Sequence, residues 1–581
     1  MKRLLIILCL LTSIVSLSLA QDEPIPTLVP PTPVPITPLG EADFVLAEST
    51  IARLQSDGVL RVGILYNERP FGQYTIQGEV TGFDADLARL LAETWSLELE
   101  FVQVTRQNRF DLLSTGAIDM LLAAVVHQRE LDARFEFSQT YRLGAQVMMV
   151  EAEPNVEAGE VDVASVFNLG GQAVGYVVGT DGETALNNWM ASTGVQIIPQ
   201  AYFTHDQLLA ALFGGEVVAI AGRDTRLLRT ASNVLDAVEI LETPLQEEAF
   251  GIVMLRQDLH FRNLVNRTLQ YLASDAATGQ QSTLEQLHTE YFPNDDFPYA
   301  ALPIYLNIGE DAPLPAQFPT DVPLPQVYAT TNITNNGVVR VAGVENPDNL
   351  SPEQATVASV NRSLVEQIAT RWGVQLQLIE GDPIEAVANG LADMAVGITP
   401  DWDTASSVDF SQPYVQHGRR LMYPEGRDLA QLGELRTTSR IVATIAGDPN
   451  AQELAEAWGS VVGINNLSFF QTTVEGAADT ILEDNNALVV FADTFLLLPI
   501  VRNNPTELAI GPTWYDRRYL TFAIPQNDID FARLLNYTLQ EMVRDGSLTT
   551  ATVPIIPQGE SAPQIGIWSG SSEYLGINLG R

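Results

Sequence analysis

The chain has 581 residues, 46% of them hydrophobic, and carries 31 Lys and Arg against 72 Asp and Glu, a net charge of −41. The apolar share excludes a chain disordered by composition, and at about 150 residues per folding unit the length suggests roughly four compact units. The acidity excludes nucleic acid and anionic membrane surfaces as partners, although it says little about a local ligand site.

The N-terminus reads as a secretory signal, residues 1–20. Lys2 and Arg3 form its charged end, Leu4 to Leu11 its apolar run, and Ser18-Leu19-Ala20 the small residues before a cut. The run is short for a membrane span, and an uncleaved anchor is the alternative. Cys9, the only cysteine, lies within it, so the mature chain has none. No lysine follows Lys2, which leaves 29 arginines (31 − Lys2 − Arg3) against 72 acids, net −43. Every cation that could hold an anionic ligand is therefore an arginine, the residue suited to bidentate carboxylate recognition. Residues 21–48 are a Pro-rich linker, either an extended spacer or a disordered leader.

Residues 49–295 read as a first domain. Val59 to Leu65 is a buried strand by its short apolar run. Asp84 to Trp95 is a helix, with Leu87, Leu90, Leu91 and Trp95 at helical spacing, and Leu97 to Val104 alternates as a strand. Strand, helix, strand predicts a parallel sheet with crossover helices, and such sheets bind ligands at the carboxyl ends of their strands. The loop Tyr66 to Tyr74, with Glu68, Arg69 and Phe71, is thus a candidate site. A second Pro-rich linker, 296–330, leads to a second domain, 331–556, and a Gly/Ser-rich tail, 557–581, that offers no element.

The second domain repeats the first. Gly116-Ala117-Ile118-Asp119-Met120 and Phe137-Ser138-Gln139-Thr140-Tyr141 return as Gly390-Leu391-Ala392-Asp393-Met394 and Phe410-Ser411-Gln412-Pro413-Tyr414, at offsets of 274 and 273. Leu60-Arg61-Val62-Gly63 returns as Val339-Arg340-Val341-Ala342, and Leu87 and Trp95 return as Leu364 and Trp372. A near-constant offset over several elements implies two copies of one domain.

Val62-Gly63, Arg69-Pro70-Phe71, Gly82-Phe83-Asp84-Ala85-Asp86-Leu87, the Gly-x-x-Asp and Phe-Ser-Gln segments, Val174 to Thr180, Phe250-Gly251-Ile252-Val253 and Tyr291-Phe292 occur in a specific order. In that order the chain resembles the family-3 extracellular solute-binding proteins of amino-acid ABC transporters. The resemblance implies an α/β fold of tandem two-lobed domains of the type II periplasmic-binding class, each lobe a mixed, mainly parallel sheet flanked by helices. Lobe one would span 55–143 plus 248–293 and lobe two 147–245, closing on the ligand like a hinge. It implies an extracytoplasmic (periplasmic, cell-surface or secreted) monomer, with no membrane span after signal cleavage, that captures a small polar ligand, probable class amino acid with acidic ones favoured, for an ABC permease.

Carried over residue by residue, Gly179-Thr180-Asp181 before a helix would bind the ligand carboxylate through backbone N–H groups and the Thr180 hydroxyl. An ordinary cap by Thr180 or Asp181 is the alternative. Phe71 would stack on the ligand, and Arg109 would grip a second carboxylate, or merely cap a helix. Asp224 would meet the ammonium, although strict spacing puts Arg223 in the acid's place. The family's Thr-x-Thr-x-x-Arg segment is missing: Ala123 to Leu131 has apolar residues at the hydroxyl positions, and Arg129 stands two residues early as a substitute. His127 is a weaker candidate beside it.

The second repeat has lost most pocket residues, with Ser359-Val360-Asn361 for Gly-Phe-Asp and Ala446-Gly447-Asp448-Pro449 for the Gly-Thr segment. Trp402, Asp493 and Tyr519 are its best candidates. Five histidines without metal-ligand spacing, and a mature chain without cysteine, lead us to expect no metal and no cofactor. No Gly-x-Ser-x-Gly elbow or phosphate loop occurs, so no enzyme is expected. A sensory or structural ectodomain and a dehydratase-like enzyme on the same fold are the alternatives.

Overall fold

The computed structural model describes residues 49–152, 163–274, 280–427, 429–437, 441–448, 450–483, 486–560 and 562–570. The segments read as a signal and as the first Pro-rich linker lie outside them, as does Pro449. Each repeat folds into two α/β lobes. In repeat one, lobe one is a five-stranded sheet in the order Glu98–Val104, Val59–Leu65, Met120–Leu121, Val253–Leu255, Phe135–Phe137. The first three strands run parallel and Val253–Leu255 is antiparallel to its neighbours. Lobe two orders Ile198–Tyr202, Ala173–Val177, Ala219–Arg223, Arg142–Glu151 and Val238–Ile240. The long strand Arg142–Glu151 and the returning strand Gln246–Phe250 pair antiparallel and carry the chain between the lobes. Repeat two reproduces both sheet orders, starting Gln375–Leu378, Val338–Ala342, Met394–Ile398 in lobe one and Ser468–Thr472, Ile441–Ile445, Val489–Asp493 in lobe two.

The repeated motifs do backbone work. Asp119 accepts the Arg61 amide at 2.7 Å, and Asp393 accepts the Arg340 amide at 2.8 Å. Each acid thereby ties the end of one helix–strand loop to the first strand. Ser138 and Ser411 accept the amides of Ile252 and Phe522 at 2.9 and 3.0 Å, closing the gap between neighbouring strands. Trp95 and Trp372 lie in the two lobe-one cores and donate to Thr268 and Thr538. Buried Asp84 accepts the Tyr141 hydroxyl at 3.0 Å and the Ala124 amide at 2.8 Å, and burial lifts its carboxyl to about 7. Its counterpart Asn361 accepts the Tyr414 hydroxyl at 2.7 Å without a charge to bury.

The two lobe-one sheets meet across a pseudo-twofold junction. Arg262 of repeat one reaches Asp409 of repeat two at 3.1 Å, while Arg533 of repeat two reaches Glu136 of repeat one at 3.0 Å. The two acids are equivalents at an offset of 273, and the two arginines stand one position apart on equivalent helices, whose matched residues Gln270 and Gln540 differ by 270. Past each repeat the chain forms an arm that crosses to the other. Tyr305 donates its amide to Gln270, and Leu306 then pairs with Asp401 of repeat two. In the same way Trp568 donates its amide to Gln540, and Ser569 pairs with Gln128 of repeat one. Trp568 is 6% exposed and stacks on His127 with centroids 3.9 Å apart. The segment read as a featureless tail therefore holds a residue of the junction core. The second Pro-rich segment lies along repeat one rather than standing off it, with Gln55 donating to the Pro315 carbonyl at 2.9 Å.

If the arms hold the repeats together, the connecting segment is not needed for association. With a protease site engineered near residues 312–325 of the full chain, the nicked halves are expected to co-elute in size exclusion. Trp568→Ala, at about 3–5 kcal/mol for a buried tryptophan, is expected to loosen them. Separation of nicked wild-type halves would contradict the arm exchange.

Candidate functional site

The cleft of repeat one is built by chain turns at the carboxyl ends of strands from both lobes. Lobe one supplies Glu68, just after the first strand, and Arg106 and Arg109, just after Glu98–Val104. Lobe two supplies Asp181 at the start of the helix Asp181–Thr193, Arg223 at the end of Ala219–Arg223, and Arg226 in the first turn of the following helix. Glu248 comes from the returning crossing strand.

These groups form one ion-pair network across the lobes. Arg223 is 8% exposed and grips Glu248 in bidentate fashion, Nε at 2.7 Å and Nη2 at 3.0 Å. The same Nη2 reaches Asp181 at 3.1 Å, and Nη1 lies 3.6 Å from Glu68. From lobe one Arg106 donates to Asp181 at 3.0 Å and to Glu68 at 3.1 Å, and from lobe two Arg226 donates to Glu68 at 3.3 Å. Burial alone would raise the Asp181 carboxyl, but Arg223 and Arg106 hold it below the usual range. Gln146, 1% exposed on the long crossing strand, donates to Glu248 at 2.7 Å.

Arg109 stands apart. One terminal nitrogen donates to the Ala123 carbonyl at 3.0 Å, and its Nε, buried, has no hydrogen-bond partner. Among the described residues no carboxylate lies within ion-pair distance of it. Burial, and then the like charge of Arg106, lower its guanidinium to about 10.

The remaining expected residues fall elsewhere. Phe71 is a correction: it is 1% exposed, stacked at 4.9 Å on Phe250 in the lobe-one core, and offers no face to a ligand. Arg129 is a second correction. It is fully buried in the junction between repeats, bonded to Glu541 at 2.8 Å and Gln540 at 2.9 Å, because its loop turns toward the crossing arm. His127 lies beside it, stacked between Phe137 and Trp568 and bonded to Asp132 at 2.8 Å. Asp224 is engaged at the hinge, where it accepts Arg142 at 2.9 Å and the Ala145 amide at 3.1 Å. Arg223, one residue earlier, takes the central position. Thr180 occupies the helix N-cap, but its hydroxyl donates to the Val177 carbonyl at 2.7 Å, and the Gly179 amide is met by Glu183 at 2.7 Å. Arg69 is exposed at the cleft rim.

Glu248, Arg226 and Gln146 were missed by sequence reasoning. The first and last lie on crossing strands that carry no distinguishing motif, and Arg226 lies in the first turn of the helix that follows Arg223, where no motif marks it.

The equivalent cleft of repeat two is self-contained. Arg419 reaches Asp448 at 2.6 Å and Asp516 at 2.7 Å. Asp493 caps the next helix through the Phe495 amide and holds His417 at 3.0 Å. Trp402 and Tyr519 both sit at the junction, bonded to Gln270 and to the Tyr299 carbonyl. Among the described residues no His/Cys/Asp/Glu group could hold a metal ion, and no helix is long and apolar enough to cross a membrane.

Removing Arg223 leaves Glu248, 2% exposed, as a buried charge without its guanidinium, and takes one of two arginines from Asp181. Arg223→Leu is expected to destabilise repeat one by about 3–5 kcal/mol in denaturant unfolding, the usual cost of breaking a buried pair. A loss below about 1 kcal/mol would mean the network contributes little to the fold.

The sequence model of the bacterial extracellular solute-binding proteins, family 3, matches residues 60–294 and 341–552. Curated relatives include a glutamate/aspartate import solute-binding protein of Escherichia coli, 25% identical over 38% of this chain and 74% of its own length. A glutamine-binding protein of an ABC transporter of Bacillus subtilis is 23% identical over 41% of this chain and 84% of its own. A histidine-binding periplasmic protein of Salmonella typhimurium is 22% identical over 41% and 88%. Among solved structures, an ancestral cationic amino acid solute-binding protein aligns with a TM-score of 0.34 at 23% identity, over 42% of this chain and all of its own.

Proposed function

Because the chain belongs to the bacterial extracellular solute-binding proteins, family 3, we propose that its first repeat captures a free amino acid between its lobes, acidic ones in preference, and presents it to the permease of an ABC importer. The observation that carries this reading is the charge of the cleft. Three carboxylates, Glu68, Asp181 and Glu248, face four guanidinium groups, Arg106, Arg109, Arg223 and Arg226. The excess of one cation rests on Arg109. An acidic amino acid, with two carboxylates and one ammonium, brings the missing negative charge.

The network suggests how exchange proceeds. The ligand ammonium takes a place beside Glu68, which now receives arginines from both lobes. One ligand carboxylate lies against Arg109 and Arg106, sharing the latter with Asp181. The closed arrangement is favoured only as far as the ligand binds it better than the open one. Buried charge-assisted pairs, shut away from water, supply that difference. The names of the relatives support an amino acid, and an acidic one more weakly, since glutamine- and histidine-binding proteins stand beside the glutamate/aspartate one. An extracytoplasmic, monomeric carrier without a catalytic step fits this reading.

Thermal unfolding with an amino-acid panel tests it. A ligand at 100 times its Kd adds about 2.7 kcal/mol, roughly 5–10 °C for a domain of this size. Glutamate or aspartate is expected to give the largest shift. Arg109→Gln is expected to weaken that ligand by about 2–5 kcal/mol, at least about 30-fold in Kd. No shift with any amino acid would sink the reading. An unchanged Kd in the variant would sink the role of Arg109.

A further inference from the structure

Outside the ion-pair network, at the rim of the same cleft, the two lobes enclose an open pocket of a different character. Arg69 and the tyrosines Tyr66 and Tyr74 line it from lobe one, and Arg226 and Arg229 from lobe two. The two tyrosine rings stack at 5.2 Å and wall one side. Arg226 and Arg229 stand three residues apart on the helix Asp224–Thr230, so both project from one face.

Only one of these arginines has a carboxylate partner. Arg226 shares Glu68 with the network at 3.3 Å, and Arg229 reaches only the backbone carbonyl of Arg69, at 3.5 Å. Among the described residues no carboxylate lies within ion-pair distance of Arg69 or Arg229. Burial and then the like charges of Arg226 and Arg69 hold the Arg229 guanidinium below its usual range. His205, on the adjoining helix, is lowered by burial and by the same Arg226 and Arg229, with Asp206 and Glu68 opposing. The chain has 72 acids against 31 bases. In so acidic a chain, cations crowded together with Glu68 and Asp206 as the acids nearby are a local inversion of the protein's field.

We propose that this rim pocket is an anion site, separate from the amino-acid position, that takes a compact group carrying two negative charges on oxygen, a dicarboxylate or a phosphate. The planar guanidinium forks of Arg226 and Arg229 meet one side of the anion and Arg69 meets the other, a geometry that suits both oxyanions. The tyrosine hydroxyls add neutral donors. Because the arginines come from both lobes, the bound anion relieves a repulsion that otherwise acts across the cleft. It therefore favours the closed form by its difference in affinity for the two forms.

The test is calorimetric titration of the full chain with succinate and with inorganic phosphate, at constant ionic strength with sodium chloride as the control. Saturable one-site binding of at least one of them is expected, weakened tenfold or more in Arg229→Gln and in Arg69→Gln. Succinate binding with phosphate silent assigns a dicarboxylate, and the reverse assigns a phosphate. No saturable heat from either anion overturns the proposal, as does binding that is unchanged in both variants. The amino-acid reading fails separately: a wild-type chain that binds succinate or phosphate but no amino acid would sink that reading and leave the rim site standing.

Discussion

An arginine cannot shed its charge when it is buried, and this chain has almost no other cation. Where the fold takes a guanidinium fully out of water, it brings carboxylates to it, since each unpaired buried ion costs several kcal/mol. That constraint shapes both the cleft and the junction. Arg223 gathers Glu248 and Asp181 at the centre of the cleft. Arg142, fully buried at the hinge, gathers Asp224 and Asp295. At the junction Arg533 gathers Asp132 and Glu136, and Arg262 gathers Glu136 and Asp409. In each case the partners come from different lobes or different repeats, so the pairing that satisfies the charge also joins separate parts of the fold.

The two repeats show what such a scaffold keeps and what it releases. Asp119 and Asp393, Ser138 and Ser411, and Trp95 and Trp372 make the same bonds in both copies, because each satisfies a backbone or indole group that the sheet geometry leaves open. The cleft residues are under no such demand. Repeat one keeps arginines from both lobes around shared acids, whereas repeat two closes Arg419 on acids of its own second lobe and hinge. A duplicated domain can lose a pocket without losing its fold, provided the buried charges that remain still find partners.

The sequence carried the doubling, the α/β order and the lobe-one strands, because those rest on periodicity and on motifs whose residues bond to nearby backbone. It carried the cleft unevenly. Glu68, Asp181 and Arg109 were legible through their loops at the carboxyl ends of strands. Phe71 and Arg129 misled, since a loop-end aromatic reads the same whether it faces a ligand or turns into the core, and Arg129 follows a loop whose course is set by a segment more than 400 residues away. Trp568 was invisible for the same reason. A single tryptophan in a Gly/Ser-rich stretch has no period, and its partners His127 and Tyr537 belong to different repeats.

The central claim is that one cleft per chain, that of repeat one, has an unanswered cation beside its central ion-pair network and takes an amino acid there, while the central arginine of the repeat-two cleft is met by acids of its own repeat. The most direct test is the stoichiometry of amino-acid binding to the full chain by calorimetry, with protein concentration fixed independently by absorbance. The account predicts one equivalent per chain. Two equivalents, or one equivalent that survives Arg109→Gln with its affinity intact, would contradict it.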